Sequence, residues 1–138
     1  MVRMALAFLI LVSASTLSRA ASDSDAAAIR DVIEQQLEAF QHDDAIAAFG
    51  LAAPNIHTMF GEADRFMGMV KNGYPPVYRP KSHAFLDLKE PDGTILQSLR
   101  IEDGAGELWT AIYAMEKQPD GSWKISGCWL VKAPTTGA

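Results

Sequence analysis

The hydrophobic pattern of this chain changes its period near residue 77, and this change limits the folds that the chain can form. Before that point, apolar residues recur every three or four positions, which is typical of amphipathic helices. After it, apolar and polar residues alternate in four short runs, which is typical of strands. Helices followed by closely connected strands predict an α+β domain, with the helices packed on a curved four-stranded antiparallel sheet.

Three helices are predicted in the first half. The first follows Ser22, which fits a capping box with Asp25, and its apolar residues share one face. These residues are Ile29, Val32, Ile33, Leu37 and Phe40. The second is short, is capped by Asp43 or Asp44 and carries Ile46 and Phe49, and the third covers about 62–71. We expect an irregular segment over 54–61 and an extended chain at Tyr74-Pro75-Pro76.

The four strands are predicted at about 77–89, 94–102, 107–117 and 122–132. The sequence Pro-Asp-Gly occurs in the first and third connections, where Pro fixes φ and Gly allows a positive φ. Connections this short join antiparallel neighbours, so the strands form a meander. The strand 107–117 is apolar on both faces. Helices cover only one face of such a sheet. The second apolar face of this strand therefore needs a pocket, a terminal segment or a partner subunit, and we predict a homodimer.

The N-terminus has the pattern of a cleaved signal peptide. Arg3 precedes an apolar run over 5–12, and Ser18-Arg19-Ala20 provides small residues for cleavage. The run is shorter than the roughly 20 residues that span a bilayer, so we favour cleavage over a permanent membrane anchor. The sequence therefore predicts a signal peptide over 1–20, a single α+β domain over 21–138, and a periplasmic or secreted location.

The charge of the chain disfavours nucleic-acid binding. The formal net charge is −5, and loss of Arg3 and Arg19 with the signal peptide would make it −7. An acidic domain without a basic cluster is a poor ligand for nucleic acid or an anionic membrane surface. With one cysteine the chain can form no internal disulfide, so its stability must come from the core.

Several stretches resemble a family of secreted proteobacterial proteins described as domain of unknown function 4864. They are Ala53-Pro54-Asn55-Ile56, Met59-Phe60-Gly61, Phe66, Met69-Val70, the run from Tyr74 to Pro80, and the run from Asp120 to Cys128. The likeness covers nearly all of the predicted mature chain and implies no activity. The order of elements also resembles the nuclear transport factor 2-like cone, which ketosteroid isomerases and SnoaL-type polyketide cyclases share.

A cone of this kind would hold a pocket between the sheet and the helices. Candidate lining residues combine an apolar body with a polar tip, and they are Tyr74, Tyr78, Trp109 and Tyr113. His57 lies near the expected pocket mouth and could hydrogen-bond a ligand. The alternative is that these residues simply fill the core or an interface.

Two carboxylates are the catalytic candidates of the sequence. Asp64 and Asp87 are the carboxylates that could point inward and act as an acid or base, and Asp87 is predicted to share a strand face with His83 and Phe85. No two histidines have ligand spacing, and no phosphate loop or nucleophile elbow is present, so we predict neither a metal nor a cofactor.

The single cysteine lies in the last strand. Strict alternation puts Cys128 on the face opposite Trp123 and Ile125, whereas a bulge at Gly127 would bring it inside. No nearby cation would lower its pKa, so we expect an inert thiol. The sequence favours a non-enzymatic module that binds a small apolar ligand or a protein partner. The alternatives are an isomerase or cyclase of the ketosteroid isomerase type, and a structural subunit of an envelope complex.

Overall fold

The computed structural model describes residues 22–134. Five helices come first: α1 (Asp23–Gln41), α2 (Ala45–Gly50), α3 (Pro54–Phe60), α4 (Ala63–Gly73) and α5 (Pro75–Tyr78). Four strands follow: β1 (Ser82–Lys89), β2 (Ile95–Glu102), β3 (Leu108–Lys117) and β4 (Trp123–Lys132). They form one antiparallel sheet in the order β1-β2-β3-β4. The predicted α+β arrangement and the meander are therefore confirmed, while the cone shape stays a prediction.

Helix α1 begins and packs as its sequence pattern predicts. The Ser22 hydroxyl accepts a hydrogen bond from the Asp25 amide at 3.1 Å, and the Asp25 carboxylate accepts one from the Ser22 amide at 3.4 Å. Asp25 also accepts a hydrogen bond from the Trp123 indole at 3.2 Å and pairs with Lys117 at 3.3 Å. The first turn of the helix is thereby attached to the β3–β4 hairpin, and its apolar face is buried in the core.

Two segments that were expected to be irregular or extended are helical. Pro54 and Pro75 stand at the starts of α3 and α5. Proline is tolerated there because the first amides of a helix have no acceptor within the helix. The prediction of an irregular 54–61 segment is therefore wrong, as is that of an extended chain after Tyr74. Because α5 occupies Pro75–Tyr78, β1 begins at Ser82 rather than near Val77.

Strand β1 contains a bulge that changes which side chains face inward. Phe85 pairs with Leu99 and Leu88 pairs with Gln97, so two residues between them lack partners in the ladder. The Gln97 amide side chain donates a hydrogen bond to the free carbonyl of Leu86 at 2.9 Å. Asp87 is exposed as a result. The prediction that it shares a face with His83 and Phe85 is wrong, because a bulge shifts the alternation by one residue.

The helices cover one face of the sheet and leave the other exposed in the described chain. On the inner face, Leu99, Ala111 and Tyr113 are buried against the helices. On the outer face, Trp129 and Val131 are 54% and 51% exposed. Within residues 22–134, the helices thus cover only one face of the doubly apolar strand.

The N-terminal predictions concern residues that the structure does not describe. The predicted signal peptide, over 1–20, lies outside residues 22–134. Among the described residues, no helix is long and apolar enough to cross a membrane.

Candidate functional site: a cavity between the helices and the sheet

A cavity of about 260 Å³ lies between the helical layer and the inner face of the sheet. Its helical wall is built by apolar side chains of α1, α3 and α4, among them Phe40, Ile56, Phe60, Phe66, Met69 and Val70. The Phe66 ring lies 6.3 Å from that of Phe40 and 5.7 Å from that of Phe60, measured between centroids. These aromatic contacts join the three helices around the space.

The sequence of each helix explains why these residues meet. Phe66, Met69 and Val70 lie on one face of α4 because residues three and four apart are neighbours on a helix. The same spacing places Gln36 beside Phe40 on α1, and Ile56 beside Phe60 on α3. The helices therefore present continuous apolar stripes to the cavity, as they would to a packed core.

A second bulge, in β4, builds the sheet wall. Ala114 pairs with Gly127 and Met115 with Ile125, so Ser126 is an extra residue in β4. After the bulge Cys128 faces inward, while Trp129 turns outward. The structure thus decides between the two registers considered from the sequence, in favour of the bulge.

The segment before α3 is attached to β4 at this bulge. The Ala53 amide donates to the Ile125 carbonyl at 2.8 Å, and the Ile125 amide donates to the Leu51 carbonyl at 3.0 Å. The Asn55 side chain donates to the Ser126 carbonyl at 3.0 Å. These bonds pair groups that the edge strand and the bulge would otherwise leave free, and they hold α3 against β4.

The cavity opens to solvent beside this attachment. Met59 and Trp129 line it and are 67% and 54% exposed, and Asn55 is exposed as well. The Trp129 ring lies over Gly127, where a Cβ would approach its ring edge to 3.2 Å. The mouth thus lies between α3 and the β4 bulge, with one flexible and one aromatic side chain at its rim.

Tyr113 and Cys128 are paired across β3 and β4 in the sheet wall. Tyr113 is 1% exposed, and its hydroxyl has no hydrogen-bond partner among the described residues. The Cys128 thiol lies beside it, and sulfur is a weak hydrogen-bond acceptor, so the hydroxyl has no nitrogen or oxygen partner and only a weak contact with the thiol. Burial raises the pKa of Tyr113 well above its usual value, and the nearby thiol raises it further. Burial also raises the pKa of Cys128 to about 12.

Both groups are therefore neutral at physiological pH. The side chains that line the cavity include no Asp, Glu, His, Lys or Arg among residues 22–134. In the same range, no cluster of three or more histidine, cysteine or acidic side chains could hold a metal ion. The wall is apolar, with a few uncharged polar groups.

The chain matches the family described as "Domain of unknown function (DUF4864)" over residues 22–138. It belongs to this family. The matched range includes every residue of the cavity wall. The resemblance to this family that was inferred from the sequence is confirmed. Neither a curated protein nor a solved structure is significantly similar to the chain. The family description assigns no activity to this DUF4864 domain.

The sequence-predicted pocket residues divide into two groups. Tyr74 and Tyr113 line the cavity of the DUF4864 domain, whereas Tyr78, Trp109 and His57 do not belong to its wall. The Tyr78 hydroxyl donates a hydrogen bond to Asp43. The Trp109 indole donates a 2.9 Å hydrogen bond to Asp103. The His57 ring stacks on the Phe49 ring, with the ring centroids 3.9 Å apart.

The two carboxylates considered for catalysis lie away from the cavity. Asp64 is exposed in the first turn of α4, and Asp87 is exposed at the β1 bulge. His83, on the inner side of β1, lies 2.8 Å from the carboxylate of Glu34 on α1. The described geometry brings none of these three side chains to the cavity wall.

Most residues of the wall are not among those predicted from the sequence, and they include Gln36, Asn55, Met59, Met69 and Ser126. Helical periodicity identifies the apolar ones as inward-facing but cannot distinguish a cavity from a filled core. Gln36 can be recognised from the sequence as an unusual inward-facing residue, because a polar residue on an apolar helix face needs a buried hydrogen-bond partner. It finds one in the Ala48 carbonyl, at 3.1 Å.

Proposed function

We propose that this DUF4864 domain binds a small, mostly apolar molecule in the cavity and does not transform it. The observation that carries the proposal is an apolar space of about 260 Å³ that opens to solvent beside the β4 bulge. Concave, mostly apolar sites with a few polar groups are the usual form of small-molecule sites.

The character of the wall favours binding over acid–base catalysis. An isomerase or cyclase of the ketosteroid isomerase type needs a general base within reach of its substrate. Asp64 and Asp87 are exposed, and the described cavity wall contains no carboxylate or imidazole. A purely structural subunit, the third alternative, would be expected to have a filled interior.

We further propose that the domain acts as a homodimer in the periplasm or outside the cell, after cleavage of the signal peptide predicted over 1–20. Support for the dimer comes from the outer face of the sheet, where Leu108, Trp129 and Val131 are exposed. Apolar residues that cluster on an exposed face are characteristic of interaction surfaces.

Native mass spectrometry of the full-length chain after export to a bacterial periplasm tests these proposals together. We expect the mass of a dimer without residues 1–20, and an additional small mass that is lost on denaturation. An intact N-terminus contradicts the localisation, and a monomer mass contradicts the dimer. Absence of the small mass, with no binding on later addition of naphthalene, contradicts the ligand site.

A further inference from the structure

The cavity wall indicates which chemical class of ligand it selects. Resting on the proposed function, we propose that the ligand is an uncharged, mostly hydrocarbon molecule with one neutral oxygen, a carbonyl or hydroxyl, that accepts a hydrogen bond from Tyr113. The hydrogen bonds of the wall, its charge and its volume all indicate this class.

The buried polar groups of the wall differ in whether they already have hydrogen-bond partners. Gln36 and Tyr113 are the buried polar side chains of the described cavity wall. The Gln36 amide nitrogen already donates to the Ala48 carbonyl, and the half-buried Ser126 hydroxyl donates to the Ala114 carbonyl at 3.2 Å. The Tyr113 hydroxyl, in contrast, has no nitrogen or oxygen partner in the described chain and only the weak sulfur acceptor of Cys128 beside it. A buried hydroxyl without a partner is costly, so a ligand that supplies an acceptor would gain affinity from it.

The wall of the cavity carries no charged side chain among the described residues. No ionisable acid or base other than Tyr74, Tyr113 and Cys128 lines the cavity among residues 22–134. A carboxylate or ammonium group would lose its hydration there without meeting an opposite charge, which is strongly unfavourable. The wall therefore discriminates against charged ligands of the same shape.

The volume of the cavity limits the size of the ligand. An apolar cavity of about 150 Å³ accepts benzene. The present cavity, at about 260 Å³, is large enough for two fused rings with a short substituent. The Tyr113 oxygen is itself sealed from water by its neighbours, so a ligand oxygen reaches it only if the surrounding side chains, such as Cys128, shift slightly.

Three probes with one ring system isolate the hydrogen bond. Naphthalene, 2-acetonaphthone and 2-naphthoate would be titrated into isotopically labelled protein at neutral pH, with amide shifts followed by NMR. We expect the ketone to bind roughly tenfold tighter than naphthalene, in line with one hydrogen bond, and the carboxylate to bind at least tenfold weaker than the ketone. The shifted amides should include those of Ser126, Gly127 and Cys128.

Two tyrosine variants supply the matched comparison. In Tyr113→Phe the ketone should lose its roughly tenfold advantage while naphthalene binds as before. Tyr74→Phe removes the hydroxyl of the other tyrosine in the wall and should preserve the advantage. Amide dispersion in the same spectra shows whether each variant is folded.

The outcomes separate the inference from the proposed function. If naphthalene shifts the cavity amides but the ketone binds no tighter, or the carboxylate binds equally well, the ligand class is wrong and the binding site stands. If Tyr113→Phe keeps the ketone preference, Tyr113 is not the donor. If none of the three probes shifts the cavity amides, both the ligand class and the proposed function fail.

Discussion

Two buried side-chain atoms of the described chain have no hydrogen-bond partner, the Gln97 carbonyl oxygen and the Tyr113 hydroxyl, and the hydroxyl can be removed by a conservative substitution. Burying this hydroxyl without a nitrogen or oxygen partner in the described chain costs free energy of folding. Removing its one oxygen atom would also remove that cost. We predict that Tyr113→Phe leaves the free energy of unfolding unchanged or raises it by about 1 kcal/mol, as measured by urea denaturation.

Tyr78→Phe is the contrasting variant, because the Tyr78 hydroxyl donates to Asp43 and would leave that carboxylate one donor short. It should lower the urea midpoint. A marked loss of stability in Tyr113→Phe would show that its hydroxyl has a partner after all.

Cys128 should be unreactive for an electrostatic reason. Burial raises its pKa to about 12, so at pH 8 the thiolate fraction is smaller by roughly a thousandfold than for a cysteine with its ordinary value. We predict that a disulfide reagent labels the folded protein at least a hundredfold more slowly than the urea-unfolded protein. Equal rates in the two states would contradict the buried, neutral thiol.

At the scale of the elements, the β4 bulge determines the sheet wall of the cavity. A Cβ at Gly127 would lie 3.2 Å from the Trp129 ring, so Gly127→Ala should displace the ring at the cavity mouth. We predict a loss of about 1 kcal/mol in unfolding free energy, together with a shift in tryptophan emission.

Gly68→Ala is the matched control. Gly68 lies within α4 and has open space where the Cβ would be placed, so this substitution should stabilise the protein by about 0.5–1 kcal/mol. If both variants are stabilised, Gly127 does not control the position of Trp129.

Periodicity predicts the type of each major element here, and the failures have local causes. Alternation assumes an uninterrupted ladder, but the two bulges depend on contacts distant in sequence. In β1, Gln97 supplies the bond to Leu86, and in β4 the backbone of Leu51 and Ala53 pairs with Ile125. Such partners are not visible within either strand, so the exposure of Asp87 could not be predicted.

The cavity was unpredictable for a different reason. Its position between helices and sheet follows from the order of elements, and two of the predicted lining residues, Tyr74 and Tyr113, lie in its wall. Phe66 and Met69, however, have the same spacing that a filled core requires. Whether space remains between such residues depends on how closely the helices approach the sheet, which the pattern of one helix does not encode.

At the scale of the whole molecule, two buried neutral acids make the free energy of unfolding depend on pH in the alkaline range. Unfolding returns Tyr113 and Cys128 to water, where they ionise near their ordinary pKa values, while burial keeps them protonated in the fold. The folded state then binds more protons than the unfolded state, so unfolding free energy falls as pH rises. Their stabilising contribution is fully present below about pH 9 and is lost as pH rises toward 12 and above.

We predict a decline of up to about 1.4 kcal/mol per pH unit for each group above its ordinary pKa, measured by urea denaturation between pH 7 and 11 or so. Cys128→Ala should flatten the first part of this decline, because it removes the group whose ordinary pKa is lower. A profile that is identical in wild type and variant would contradict the contribution of the thiol.

The proposed homodimer would use the outer face of the sheet. Trp129 and Val131 are half-exposed neighbours of the apolar strand β3, so covering them would remove apolar surface from water. We predict a dimer in sedimentation velocity at tens of micromolar. Val131→Lys should produce a monomer, because dimerisation would then bury an ammonium group without a partner.

Ile46→Lys provides the matched control for that experiment. Ile46 lies on α2, away from the sheet, and at 81% it is more exposed than Val131. A lysine there changes the net charge equally but should leave the dimer intact. Dissociation by both substitutions would indicate a general effect of charge, and a sharp monomer peak for the wild type would rule out the dimer.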